Sequence, residues 1–248
     1  MSASAQMPEE DAFSRLRLLI GEEGLANLSR ASVFICGVGG VGSWAAEEIG
    51  RSGIGRIAIM DPDTVRPSNI NRQLCALHST LGRLKVEVVA ERLRDINPAA
   101  EIVSMPERLL PEKAAPILEK GGFDCVIDAI DELPSKIALI SECTRRGIPL
   151  VSSMGAARKM DPSQIRTADI GATNGDPLAR AVRQKLRMQG IRQGVSVVFS
   201  PEPAMASERT EGDEAVARPP LGTISYMPAL FGVRCAAEVI RLLLARRP

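Results

Sequence analysis

The sequence has one histidine, His78, and that scarcity excludes both a histidine-based nucleophilic triad and a multi-histidine metal centre. Cysteine pairing is also missing. Cys36, Cys75, Cys125, Cys143 and Cys235 are scattered with no C-x-x-C among them, so they read as small, reduced core residues of a cytoplasmic protein. Charge of one sign is lacking too: 31 Lys and Arg stand against 30 Asp and Glu, a net of +1. Such a balance gives no global attraction to nucleic acid or anionic membrane, and any polyanion site must be local. There is no long uninterrupted apolar run. The nearest candidate, Tyr226 to Ala245, carries Arg234, Glu238 and Arg241 and reads as an amphipathic helix, with Leu230, Val233, Ala237, Ile240 and Leu244 along one stripe. Met1 to Asp11 is polar and acidic without a charged-then-apolar leader pattern, so a cytoplasmic location without membrane attachment is expected. No internal repeat is present.

What is present is a glycine-lined turn between a strand and a helix. Val33-Phe34-Ile35-Cys36 reads as a buried strand, Gly37, Gly39 and Gly42 have the G-x-G-x-x-G spacing with Gly40 between them, and Ser43-Trp44-Ala45-Ala46-Glu47-Glu48-Ile49 opens a helix. The first glycine lets the chain turn, the second lets backbone approach phosphates, and the third lets helix pack on strand. Such a turn also occurs with a purely structural role. The next strand, Ile57 to Met60, ends at Asp61, where an acidic side chain is placed to accept from ribose hydroxyls. Strands then alternate with helices: helix from Gly82 to Ile96, strand Glu101 to Met105, helix Pro111 to Lys120, strand Asp124 to Ile130, helix Pro134 to Arg146 and strand Pro149 to Ser153. This order predicts an α/β fold, a Rossmann-like doubly wound and mostly parallel sheet with helices on both faces. Short strands at Ile165 to Asp169 and Val195 to Ser200 and the helix from Tyr226 extend it. One domain is expected: a helical appendage over 1–31 that breaks at Gly21 and Gly24, a nucleotide-binding core over 32–154, and a substrate and dimer region over 155–248.

The segment after Asp61 is too rich in Asn, Ser and Pro for regular structure, and it places Asp63, Asn69, Asn71, Arg72 and Gln73 close together, with Lys85 soon after. A dinucleotide dehydrogenase, the reading the glycines alone would allow, needs only the ribose acid there. The density suits a triphosphate, with Arg72 and Lys85 neutralising phosphate oxygens and Asp131 holding Mg²⁺. Each residue has a plainer alternative: Asp128 as a strand-end cap, Arg72 as a surface ion pair, Lys85 as a solubilising group. Arg180, Arg183, Lys185, Arg187 and Arg192 recur at roughly helical intervals, either a solvated face or a nucleic-acid footprint. Pro201 to Gly222 has no aromatic residue and is expected to be a mobile loop.

Taken together, Gly37-Val38-Gly39-Gly40-Val41-Gly42-Ser43, Asp61-x-Asp63, Ser68-Asn69-Ile70-Asn71-Arg72-Gln73, Gly82-x-x-Lys85 and Asp128-Ala129-Ile130-Asp131 resemble the ThiF/MoeB superfamily of adenylating enzymes, which is related to ubiquitin activation. The resemblance implies ATP with Mg²⁺ and transfer of AMP to a carboxylate. It implies that Gly37, Gly39, Gly40, Gly42, Asp63 and Gln73 line the nucleotide, that Asp61 holds the ribose, that Asn69, Arg72 and Lys85 hold phosphates, and that Asp131 serves the metal and the transition state. Arg15, in Phe13-Ser14-Arg15, resembles the arginine that reaches a partner subunit's ATP, which implies a homodimer.

Members that activate a ubiquitin-like protein often carry paired C-x-x-C zinc motifs and a reactive cysteine in the loop crossing the site. Neither is present here. No cysteine stands between Cys143 and Cys235, so a thioester or persulfide relay from loop Pro201 to Gly222 is not available. Within the superfamily the sequence is most similar to the tRNA threonylcarbamoyladenosine dehydratase group. That similarity rests also on Ser52-Gly53-Ile54-Gly55, Asp161-Pro162-Ser163-Gln164-Ile165, Asp176-Pro177-Leu178-Ala179 and Val198-Phe199-Ser200-x-Glu202. It implies a tRNA substrate whose modified adenosine is activated by ATP and closed into a ring. Activation of a ubiquitin-like sulfur carrier, and a non-catalytic ATP-binding scaffold for a sulfur-transfer partner, are the alternatives it leaves.

Overall fold

The computed structural model describes residues 11–206 and 221–246. Seven strands form one sheet: β1 (Ser32–Cys36), β2 (Arg56–Met60), β3 (Glu101–Met105), β4 (Cys125–Asp128), β5 (Leu150–Ser153), β6 (Arg166–Asp169) and β7 (Ser196–Phe199). Their order is β3-β2-β1-β4-β5-β7-β6, and every pairing is parallel except that of β6 with β7. The expected doubly wound sheet is therefore present, with an antiparallel edge strand added by the C-terminal part of the chain.

Pleating turns alternate residues to opposite faces, so a strand covered on both sides reads as an unbroken apolar run. In β1, Val33 and Ile35 enter one core and Phe34 and Cys36 the other. The first core packs under α1 (Ser14–Arg30), α2 (Gly42–Arg51), α3 (Lys85–Ile96) and α7 (Tyr226–Ala245). The second packs under α4 (Ala114–Gly121), α5 (Leu133–Arg146) and α6 (Pro177–Met188). Of these helices, α7 crosses α2 at close range: a Cβ on Gly232 would lie 2.3 Å from the Val41 carbonyl oxygen.

Several expectations are corrected. In α7 the fully buried side is Met227, Phe231, Cys235, Ala236, Val239 and Leu243. The stripe of Leu230, Val233, Ala237, Ile240 and Leu244 lies on the partly exposed side. The helix is apolar almost all round, so spacing alone could not select the face that packs on α2. In α1 the backbone leaves helical geometry only at Gly21 (φ 74°), whereas Gly24 continues the helix, where a Cβ would press on Ile20. The segment after Asp61 is not wholly irregular, because Pro67–Asn69 makes a 3-10 turn and Thr64 bridges Leu84. The helix expected from Gly82 begins at Lys85. The first ten residues and most of the expected loop, residues 207–220, lie outside the described residues.

Candidate active site

In a parallel sheet all strand ends that precede helices fall on one edge, and ligands of such folds bind there. Here that edge gathers the ends of β1, β2 and β4. Gly37 sits at φ 89° and donates to the Met60 carbonyl at 2.7 Å. A Cβ on it would come within 2.8 Å of the Ala129 oxygen, and one on Gly42 within 1.7 Å of the Gly37 oxygen. These two positions cannot carry a side chain without moving β1 from β4 or α2 from β1. Gly39 differs, since a Cβ there would meet only the Gln73 amide, 3.8 Å away, so this side of the turn is open. Ser43 Oγ donates to Gly39 O at 2.6 Å and accepts from the Leu74 N–H at 3.2 Å, joining the glycine turn to the polar segment.

Asp61 is 6% exposed. Its Oδ2 accepts from the Val38 N–H and its Oδ1 from the Asp63 N–H, both at 2.9 Å. It thus fixes the glycine turn as well as facing the crevice, with a further lone pair on each oxygen for another donor. Lys85 is not a solubilising group: it is buried, with Nζ 2.8 Å from Asp63 and 3.9 Å from Asp61. Asn69 is buried at the polar turn. Its Oδ1 accepts from Arg66 N–H, and its carbonyl accepts from the N–H groups of Arg72 and Gln73. Arg72 forms no surface ion pair among the described residues. Its guanidinium donates to Ser68 O (2.8 Å) and Asn71 Oδ1 (2.9 Å), and its stem would be 3.5 Å from a Cβ on Gly40. Gln73 is buried against Gly39, and its Oε1 has no partner among the described residues. A buried acceptor left in that state costs about 1–3 kcal/mol, which makes it the place where a ligand donor, such as a nucleoside hydroxyl or amine, would be welcome.

The far wall is the turn after β4. Ala129 N–H donates to Cys36 O at 2.8 Å and Ile130 N–H to Asp128 Oδ1 at 3.2 Å, which leaves Asp131 exposed just beyond. Arg15 is the site residue that its own chain does not bring here. It is exposed on α1, whose start packs Phe13 on Gly53, near the opposite edge of the sheet.

Two networks escaped sequence reading. Lys136 is fully buried and its Nζ donates to Asp128 Oδ2 (2.7 Å), Ser152 Oγ (3.2 Å) and Ser153 O (3.0 Å), while Ser152 Oγ donates to Asp128 Oδ2 at 2.6 Å. Asp128 is thus half of a buried ion pair as well as a cap. Lys159 and Asp176 make a second buried pair at 2.6 Å, with the Ser200 carbonyl also on Lys159. A signal existed for the first: Lys136 falls at helical spacing between Leu133 and Ile140, where an apolar residue is expected.

All five cysteines are buried. Burial pushes the Cys75 thiol up to about 11 and those of Cys125 and Cys235 up to about 12. Cys36 is raised by burial and then by Asp128. None is a thiolate nucleophile near neutrality. A groove of about 300 Å³ beside α2 and α3, lined by Leu74, Leu77, Val88 and Arg92, includes Ser43 but none of the glycines, and is separate from the crevice.

Known proteins share the sequence pattern and the fold of this chain. Residues 13–248 match the ThiF family. The chain is 45% identical over 240 residues to the tRNA threonylcarbamoyladenosine dehydratase of Bacillus subtilis, covering 94% of each chain. It is 36% identical to the Escherichia coli protein of the same name over 253 residues, again 94% of each. Crystal structures of the Escherichia coli tRNA N6-threonylcarbamoyladenosine dehydratase in complex with ATP and with AMP each superpose with a TM-score of 0.86 over 94% of both chains. The match over nearly the whole chain shows that it is a member of the ThiF family.

Proposed function

We propose that this chain is an ATP-dependent enzyme that dehydrates threonylcarbamoyladenosine in tRNA by adenylating its carboxylate. A carboxylate oxygen attacks the α-phosphorus of ATP, the bond to pyrophosphate breaks, and the neighbouring carbamoyl group displaces AMP as it closes a ring. Negative charge builds on phosphate oxygens in the first step, so fixed cations that hold the transition state better than the ground state raise the rate. Arg72 and Lys85 are those cations, with Asn69 beside them. Asp61 and Gln73 take the nucleoside, and the backbone of Gly37 to Gly42, with Asp63 beyond it, lines the phosphates. The residues fit Mg²⁺ as a companion of ATP rather than as a resident ion. Among the described residues no three His, Cys, Asp or Glu cluster as metal ligands, and Mg²⁺ is commonly held by one carboxylate plus substrate phosphates, which here is the part for Asp131. Bound there, the ion supplies further neutralisation of phosphate charge. Arg15 acts across a homodimer on the partner's nucleotide, residues 155–248 receive substrate and partner within a single domain, and the reaction takes place in the cytoplasm.

The observation that carries this reading over a thioester or persulfide relay to a sulfur carrier is the burial of every thiol. Capture of the acyl-adenylate by a group already on the substrate needs no protein sulfur, whereas relay chemistry needs an exposed thiolate. No described helix is long and apolar enough to cross a membrane. Incubating the protein with ATP, Mg²⁺ and tRNA bearing threonylcarbamoyladenosine is expected to release AMP and pyrophosphate and to give a nucleoside lighter by one water in mass spectrometry. An unchanged nucleoside, with ATP–pyrophosphate exchange that depends instead on a Gly-Gly-ended protein, would assign the chain to carrier activation.

A further inference from the structure

We infer that the outer face of α6, together with Arg166 at the end of β6, is the surface on which the RNA phosphate backbone lies; this rests on the tRNA reading above. From Pro177 to Pro201 the chain contains five cations and no Asp or Glu, in a protein whose net charge is only +1. Elsewhere surface cations are commonly matched: Arg17, Arg51, Arg83, Arg92, Arg145 and Arg241 each face a carboxylate. None of the five cations of this stretch forms an ion pair among the described residues. Uncompensated, clustered positive charge costs self-repulsion and is the electrostatic footprint of a polyanion site.

The helix also sorts its cations. Ala179, Val182 and Leu186 are buried on the second core, and Arg183 is half-buried with its guanidinium on the carbonyl and hydroxyl of Thr173, so it braces the approach to α6. Arg183 is therefore not part of an outward face, although its helical spacing suggested that it was. Arg180 and Arg187 are exposed on one side, seven residues and about 10 Å apart along the axis, with Gln184 between them. Lys185 and Arg192 flank them and are exposed. Arg166 shares the strand face of Ala168, which packs into the core beneath α6, and it pairs with Phe199 at the carboxyl end of β7. Asp176 caps α6 from the same end, accepting from Ala179 N–H at 2.7 Å while held by Lys159. The row therefore starts at the edge of the sheet that carries the crevice and runs away from it along α6. A stem leading from a nucleotide in the crevice would lay its phosphates on this row.

The test is charge reversal in the full protein. In R180E/R187E, affinity for tRNA is expected to fall at least about tenfold, and the slope of log affinity against log salt to flatten by roughly 1.5, about 0.7–0.9 for each lost phosphate contact. R94E, the same charge change on α3 across the sheet, is expected to keep both, and all three proteins to keep their affinity for ATP. Equal affinity and slope in R180E/R187E and wild type would overturn the proposal. So would a loss of binding to phosphatidylglycerol vesicles with none to tRNA, which would make the row a lipid surface. Binding to unmodified tRNA transcript is measured alongside turnover. If wild type leaves the modified nucleoside unchanged yet charge reversal still weakens tRNA, the dehydration reading fails and the surface stands. If wild type turns over and the variant binds as before, the surface alone fails.

Discussion

Two lysines stand at the carboxyl edge of the same sheet, each beside an aspartate at or just past the end of a strand, and they differ in what surrounds them. Lys136 is sealed: both it and Asp128 are fully buried, and Ser152 and the Ser153 carbonyl take its remaining donors. Lys85 is covered too, but Asp63, which holds it at 2.8 Å, has a side chain 48% exposed, and Asp61 stands further off at 3.9 Å. Leaving a partner that is itself in water costs Lys85 little, and a phosphate arriving over the glycine turn offers a stronger one. Lys136 has no such freedom, because its loss would strand a carboxylate in the core. A buried charge with every donor satisfied holds structure, and one shared with an exposed acid is free to serve a ligand.

The sharpest way to break this contrast is to delete the sealed lysine. Lys136→Met is expected to destabilise the fold by about 3–5 kcal/mol, the usual effect of breaking a buried pair, with part recovered when Asp128→Asn is added. Urea denaturation reads both, and a loss below about 1 kcal/mol would mean that water reaches the pair. Next, Asp131→Ala should lower turnover about 10²–10³-fold while leaving the urea midpoint in place, since the side chain is exposed. Lys85→Met is expected to lower kcat and kcat/KM for ATP on the order of tenfold with a stability change within about 1 kcal/mol. A stability loss like that of Lys136→Met would erase the distinction.

At neutral pH the smallest effect, and one that shows only in alkali, concerns the thiols near the two lysines. Cys75 is raised by burial to about 11 with Lys85 pulling it down, and Cys235 is raised to about 12 with Lys136 pulling it down. Unfolded thiols ionise first, near about 8.5, so the native state binds more protons above that pH and stability falls as pH rises toward 11. The slope contributed by each such thiol is at most about 1.4 kcal/mol per pH unit, and Cys75→Ala should flatten the fall seen by denaturation between pH 8.5 and 11. An unchanged pH dependence would place the effect on other groups.

The strands and helices of the first part of the chain were legible because they repeat a simple alternation of apolar runs and helical spacing, each ended by Gly, Pro or Asn. The glycine turn was legible for a stronger reason. At Gly37 and Gly42 backbone atoms come so close that no other residue fits, and that constraint is written in the residue type. Less was visible in α7, where apolar residues occur on nearly every side and the stripe read from spacing is not the buried one. Lys136 left a trace, a charge where helical spacing calls for an apolar residue, but the roles of Ser152, Lys159 and Asp176 were not visible, because each depends on a partner in another element. The basic run of α6 was visible as charge, but not which arginine turns inward to Thr173.

By itself the sequence determined the glycine turn and the alternating fold, since these follow from local backbone freedom and apolar periodicity. Only the tertiary structure decided which charges are committed and which are available. That depends on whether a carboxylate sits in the core or in water within about 4 Å of a cation, and sequence spacing carries no measure of such a distance.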